Sequence, residues 1–302
     1  MYSRKIAYRR ATDRHMRAIL ALLLALALAV GLGCLPGRAA FAQAPTLTIA
    51  DRTTSRTYTR SELLADRLTR TIVIAYDPVY RRSMTYRAIA VAELLKGARI
   101  GDEDYVQARA TDNFSVGIPA GLLTVTPPSG AAPSNAEAFL AIEDPAQPWP
   151  AIPGGAKGTA GPFYIVWLGG TRSDISSEYW AYHLAALTVT DSPYRRWPGL
   201  AVSADIPETD PIRRGLDRFV AVCMACHRFN GEGEGEQGPD LGRPMNPVDY
   251  FQPAALKKLL RDPRSVRTWP EAKMPAFDAE NLSDADIDAI VAWLAYKARQ
   301  GR

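Results

Sequence analysis

Residues 223–227 read Cys-Met-Ala-Cys-His, and no other short stretch of the chain limits its fold so tightly. Two thiols three residues apart at a helix end can each add to one vinyl group of a haem, and the next side chain reaches the iron from the same side. An imidazole is a good iron ligand, and an acceptor behind it can orient its second nitrogen. The pattern also occurs as a redox dithiol or as half of a zinc site. A tetrahedral zinc site needs about four protein ligands. The chain has 3 cysteines, and the third, Cys34, lies in the N-terminal leader. A thioredoxin-like motif follows a strand and opens a helix, whereas this one closes a helical run. Asp210-Pro211 starts that run, and Leu216, Phe219, Val220 and Val222 share one broad face. The residues therefore point to one covalent haem c, attached through Cys223 and Cys226, with His227 on the iron.

A six-coordinate iron needs a second axial ligand, and a thioether sulfur raises the reduction potential. Met274, in Lys273-Met274-Pro275, sits in a proline-fixed loop before the last helical segment, where it can hold a sulfur over the far face of the ring. Met245 follows the motif more closely and is read as a packing or surface residue. Expected iron ligands are thus His227 and Met274.

With these features in order, residues 211–302 resemble a class I cytochrome c domain. Gly215 and Phe219 match the small and aromatic positions of its first helix. Gly238-Pro239-Asp240-Leu241 is similar to the loop whose proline carbonyl accepts from the proximal histidine. A middle helix near Ala254–Arg261 and a final helix near Asp284–Lys297, N-capped by Ser283, complete the likeness. Trp293 or Tyr296 would pack that final helix on the first where the two cross at Gly215. The resemblance implies an all-α fold and a haem environment that includes Pro239 and Trp269. Trp269 would either hydrogen-bond a propionate or lie over the haem edge.

The leader has a basic start ending at Arg17, an apolar stretch of 16 residues from Ala18 to Gly33, and Ala40-Phe41-Ala42 as a cleavage site. Spanning a bilayer takes roughly 20 residues, so residues 1–42 are expected to be a signal peptide and the mature protein periplasmic. Membrane association would require a retained leader or lipidation at Cys34. Of the 36 Lys/Arg and 32 Asp/Glu, seven and one fall in residues 1–42, leaving 29 against 31. The basic balance belongs to the leader, and neither remaining half looks built for nucleic acid.

Ala204–Asp210, rich in proline and acids, reads as a linker. Residues 43–203 are expected to form an α+β domain. Strand signals lie at Thr46–Ala50, Arg70–Tyr76, Tyr105–Ala110 and Phe163–Leu168, and short helices begin near Ser61 and Val91. Phe139 marks a further helical or extended piece inside a proline-rich surface excursion from Pro127 to Gly161. Tyr86–Leu95, Ala110–Pro119 and Gly161–Trp167 resemble elements of the molybdopterin-binding domain of the sulfite oxidase family. That family holds molybdenum through a cysteine thiolate, and residues 43–203 contain none. Molybdopterin is therefore not expected, and a partner-docking role is.

His183 is the one histidine of this region and is read as packed or exposed. Tyr179, Trp180 and Tyr182 suit a half-buried strand or an aromatic docking patch. Glu232, Glu234 and Glu236 alternate with glycine and read either as a mobile acidic loop that could steer a basic redox partner or as a solvated turn that keeps the surface soluble. The expected function is single-electron transfer between redox partner proteins, with an exported dehydrogenase as donor and an oxidase or another cytochrome as acceptor. No bond in a substrate changes, so the chain is read as an electron carrier rather than an enzyme. An oxidoreductase using a cofactor in the first domain, and a haem-based sensor or assembly factor, are the competing classes.

Overall fold

Wherever a short alternating run of the first half can bury one face, it forms a strand. The computed structural model describes residues 44–124, 136–154, 158–169, 175–270 and 272–300. The leader, with Cys34 and the expectations attached to it, lies outside the described residues. The strands are β1 (Thr46–Ala50), β2 (Ser55–Thr59), β3 (Arg70–Asp77), β4 (Arg82–Ala90), β5 (Tyr105–Ala110), β6 (Ser115–Pro119), β7 (Glu137–Ile142), β8 (Phe163–Leu168) and β9 (Leu184–Thr190). Four short helices intervene: α1 (Arg60–Ala65), α2 (Val91–Leu94), α3 (Ala120–Thr124) and α4 (Pro193–Arg196). The first begins where Thr59 and Glu62 cap each other's backbone N–H groups.

The strands make two sheets, one ordered β2-β1-β9-β5-β6 and the other β3-β4-β7-β8. Only β1 and β9 pair in parallel. Leu47, Val106, Ile118 and Leu187 of the first sheet share one buried cluster with Leu140, Ile142, Phe163 and Ile165 of the second. The opposite face of the second sheet has its own core of Ile72, Tyr86, Phe139 and Tyr164, closed by Trp149 and Ala160. Inside the Pro127–Gly161 run, the extended piece at Phe139 is the strand Glu137–Ile142, which lies between two cores with Phe139 fully buried.

The second half holds α5 (Pro211–Arg218), α6 (Pro247–Tyr250), α7 (Pro253–Arg261) and α8 (Asp284–Gln300). Asp210 caps α5 by accepting from the Ile212 N–H, with Pro211 at the first helical position. A π turn over Phe219–Cys223 continues it. Ser283 and Asp286 cap α8 reciprocally, the Ser283 Oγ accepting from the Asp286 N–H at 3.1 Å. At Gly215 the two helices touch backbone to backbone: a Cβ there would lie 2.0 Å from the Ala289 carbonyl oxygen. Phe219 and Trp293 stack beside this crossing with ring centroids 4.5 Å apart. Among the described residues no helix is long and apolar enough to cross a membrane.

The expectation of two separate domains is overturned, while the α+β character of the first part stands. Residues Ala44–Arg302 form one compact unit, with two β-sheets filling its first part and the helices gathered in its second. The reason lies in where apolar groups are buried. Leu200 and Val202 belong to the helical core, and the Leu200 carbonyl accepts from the Trp293 indole N–H. Ala225 belongs to the sheet core, with Cys226 packed against it. Residues 204–210 do not run free either, since the Arg213 guanidinium donates to the carbonyls of Ser203 and Ile206.

Candidate haem-attachment site

The π turn lets the chain leave α5 with the motif already wound, the His227 N–H donating to the Cys223 carbonyl at 2.9 Å. Cys223 packs on the helical core and Cys226 on the sheet core, so the motif lies at the seam between them. Both thiols are free. Burial first, and nearby negative charge second, push each of them up to about 12. A redox-active dithiol needs a lowered thiol pKa, so this environment opposes the dithiol reading. Among the described residues no group of three or more His, Cys, Asp or Glu side chains is placed to hold a metal ion.

His227 Nδ1 lies 2.8 Å from the Pro239 carbonyl oxygen. A carbonyl only accepts, so Nδ1 carries the proton and Nε2 presents its lone pair. Burial lowers the histidine's pKa and favours this neutral form, with the bond to Pro239 opposing it. Gly238 is glycine for a steric reason, because a Cβ there would stand 2.4 Å from the imidazole. The loop is held by Gly238 N–H donating to the Cys226 carbonyl and Leu241 N–H to that of Arg228. Asp240 accepts from the backbone N–H groups of Asn230, Gly231, Gly242 and Arg243. Those bonds outweigh its burial and lower its pKa.

Met274 is half-buried and packs against the helical core, while Met245 is half exposed. Trp269 is 47% exposed, with the Arg267 guanidinium 5.3 Å from its ring centre. Two unbridged thiols, a histidine with a free Nε2 and a glycine cleared beside its ring fit a covalently held haem.

The acidic loop is not the solvated turn expected from its composition. Glu232 accepts from the Gly199 N–H, Glu236 pairs with Arg228, and Glu234 pairs with Arg196. Glu234 also accepts from the Ser115 hydroxyl, which accepts from the Gln107 side-chain amide, and Arg196 donates to the Gln107 side-chain oxygen Oε1. This closed ring of polar groups ties the haem-motif loop to β5 and β6. Tyr179–Tyr182 is likewise not a strand: Ser177–Tyr179 is a 3₁₀ turn, and His183 turns the chain with φ +54°. His183 is packed rather than free, its Nε2 2.6 Å from the Thr159 carbonyl oxygen. The Ser176 hydroxyl donates to the Ala221 carbonyl at 2.7 Å, pinning this turn to the motif's own helix. Ser115, Ser176 and Arg196 carry no local signal of these roles, because each partner is far along the chain.

No curated protein matches the chain, and no family match supports a molybdopterin-binding domain upstream. The model of the cytochrome c family matches residues 212–297, which supports a cytochrome c domain over this segment, a likeness that implies covalently bound haem c and suggests haem-based electron transfer.

Proposed function

We propose that the chain is an exported carrier of single electrons, with one haem c on Cys223 and Cys226 and iron ligands His227 and Met274. The observation that carries this reading is the His227–Pro239 bond beside two free thiols. When bound, the haem supplies a reversible Fe(III)/Fe(II) couple. Around it the chain's residues orient and shield. Pro239 holds the imidazole in one tautomer, Asp240 keeps that loop in place, and the helical core excludes water from one side. Met274, on a proline-fixed loop, supplies the sulfur that favours the reduced state.

The two-sheet region is the partner-docking module in this reading, and the leader directs the chain to the periplasm, where c-type haem is attached. The donor is an exported dehydrogenase and the acceptor a respiratory oxidase or another cytochrome. A metal inventory with a pyridine haemochrome spectrum tests the reading. One iron per chain as c-type haem is expected, and none overturns it. Met274→Ala should remove the sulfur-to-iron charge-transfer band of the oxidised protein. Loss of that band in Met245→Ala instead would overturn the axial assignment.

A further inference from the structure

Among the described residues, one carboxyl of the sheet region stands at the haem motif with no ion pair. Glu178 sits in the Ser177–Tyr179 turn, which is clamped from both sides. Ser176 Oγ accepts from the Glu178 N–H and donates to the Ala221 carbonyl of the motif's helix. On the other side Trp167 donates its indole N–H to the Tyr179 carbonyl, and Tyr179 is buried in the sheet core. The turn that carries the carboxyl is thereby fixed against the helix leading into Cys223, and the carboxylate's negative charge raises the pKa of both thiols. Its hydrogen-bond partner is the Ser177 hydroxyl, at 3.3 Å. Of the other acidic side chains here, Glu234 pairs with Arg196 and Glu232 accepts from the Gly199 N–H.

We propose that Glu178 is a redox-linked proton site, which gains a proton when an electron arrives at the haem carried by Cys223 and Cys226 and releases it when the electron leaves. The proposal rests on the electron-carrier reading. The balance is one electron from the donor protein and one proton from water: ferric iron with a carboxylate becomes ferrous iron with a carboxylic acid, and only the carboxyl O–H bond forms. Reduction removes one positive charge from the neighbourhood, so the carboxylate loses stabilisation and binds a proton more tightly. Linkage makes the effect reciprocal, so protonation eases reduction. Burial already pushes this carboxyl up to about 7, with the Ser177 hydroxyl opposing it. Ordinary pH changes therefore reach it.

The other charged or titratable groups around the seam are Tyr182, on which Glu178 and Asp112 act, and Lys273 and Asp112, which act on Cys226. Tyr182 is raised above the ordinary tyrosine value by burial and so stays neutral. The two thiols cease to titrate once they are thioethers. Asp112 is the competitor to be separated from Glu178.

The test is a spectroelectrochemical titration of the holoprotein across the neutral pH range. The potential should fall as pH rises, with a slope approaching about 59 mV per pH unit, the one-electron equivalent of a tenfold change. Glu178→Gln should flatten this slope, and Asp112→Asn should leave it. A pH-independent potential in the unaltered protein, or a slope lost in Asp112→Asn but kept in Glu178→Gln, overturns the proposal. If Glu178→Gln does not fold, the infrared difference between the reduced and oxidised unaltered protein decides. A carboxylic acid carbonyl band gained on reduction supports the proposal, and its absence overturns it. Failure of the carrier reading itself looks different, as no reversible one-electron couple at any pH.

Discussion

In the sheets, Leu47, Val106, Ile118 and Phe163 are wholly buried and the backbone is paired strand to strand. Between Met224 and Asn246, by contrast, the chain has no helix or named strand, and its N–H groups go to carboxylates and scattered carbonyls. The sheet region is thus held by many interchangeable apolar contacts, and the haem-motif loop by a few charge-assisted bonds that cannot be replaced singly. The two are nevertheless one unit, because Leu200 and Val202 fill the helical core and Ala225 the sheet core.

The sharpest test of this contrast is a methyl group. Gly215→Ala forces α5 away from the Ala289 carbonyl and should cost about 3 kcal/mol or more. Gly121→Ala, at a helical glycine of the sheet region with open space around it, should gain about 0.5–1 kcal/mol. Denaturant unfolding of both variants decides it, and equal effects would break the distinction. Next in size, Asp240→Ala strips an acceptor from four backbone N–H groups and should cost about 2–3 kcal/mol. The Soret and charge-transfer bands should shift with it, since the same loop carries Pro239.

Acid probes the regions in parallel. In the sheet region Arg52 holds Asp104 down at about 2. Burial raises Asp286 in α8, but hydrogen bonds from Arg218, Ser283 and Arg214 outweigh it and hold it at about 2. Both folded values lie below the unfolded one, so each group stabilises the fold above pH about 4 and loses that contribution as pH falls towards about 2. If the unit is cooperative, Asp104→Asn and Asp286→Asn should each flatten the same single acid transition. Two separate transitions would restore the division at residue 203. The smallest effect concerns the seam: a double-mutant cycle on Arg196 and Glu234 should give a coupling of about 1 kcal/mol, since both side chains are half-buried. A coupling near zero would make that contact ornamental.

Much of this was legible in the residues, because some signals are local. The strands at Thr46–Ala50, Tyr105–Ala110 and Phe163–Leu168 announce themselves by apolar runs bounded by turn residues, and the motif loop by Gly238-Pro239. What escaped depends on partners far along the chain. Nothing near Leu200 points to Trp293, and nothing near Glu234 points to Ser115 and Arg196. The run of glutamates looked solvated because composition records charge and not its neighbours. The Tyr179–Tyr182 spacing suits a strand because aromatics can alternate by chance in so short a run, while the 3₁₀ turn and the left-handed His183 that interrupt it have no local sequence signature.

The buried thiols bear on the order of maturation. With Cys223 and Cys226 pushed up to about 12, both are neutral near pH 7, and thiolate chemistry at them is slow. In the proposed reading, the folded chain without haem would therefore resist oxidation to a Cys223–Cys226 disulfide and be equally reluctant to couple with a vinyl group. In that reading, attachment would then precede the packing of Cys226 against the sheet core, and haem delivery would compete with folding.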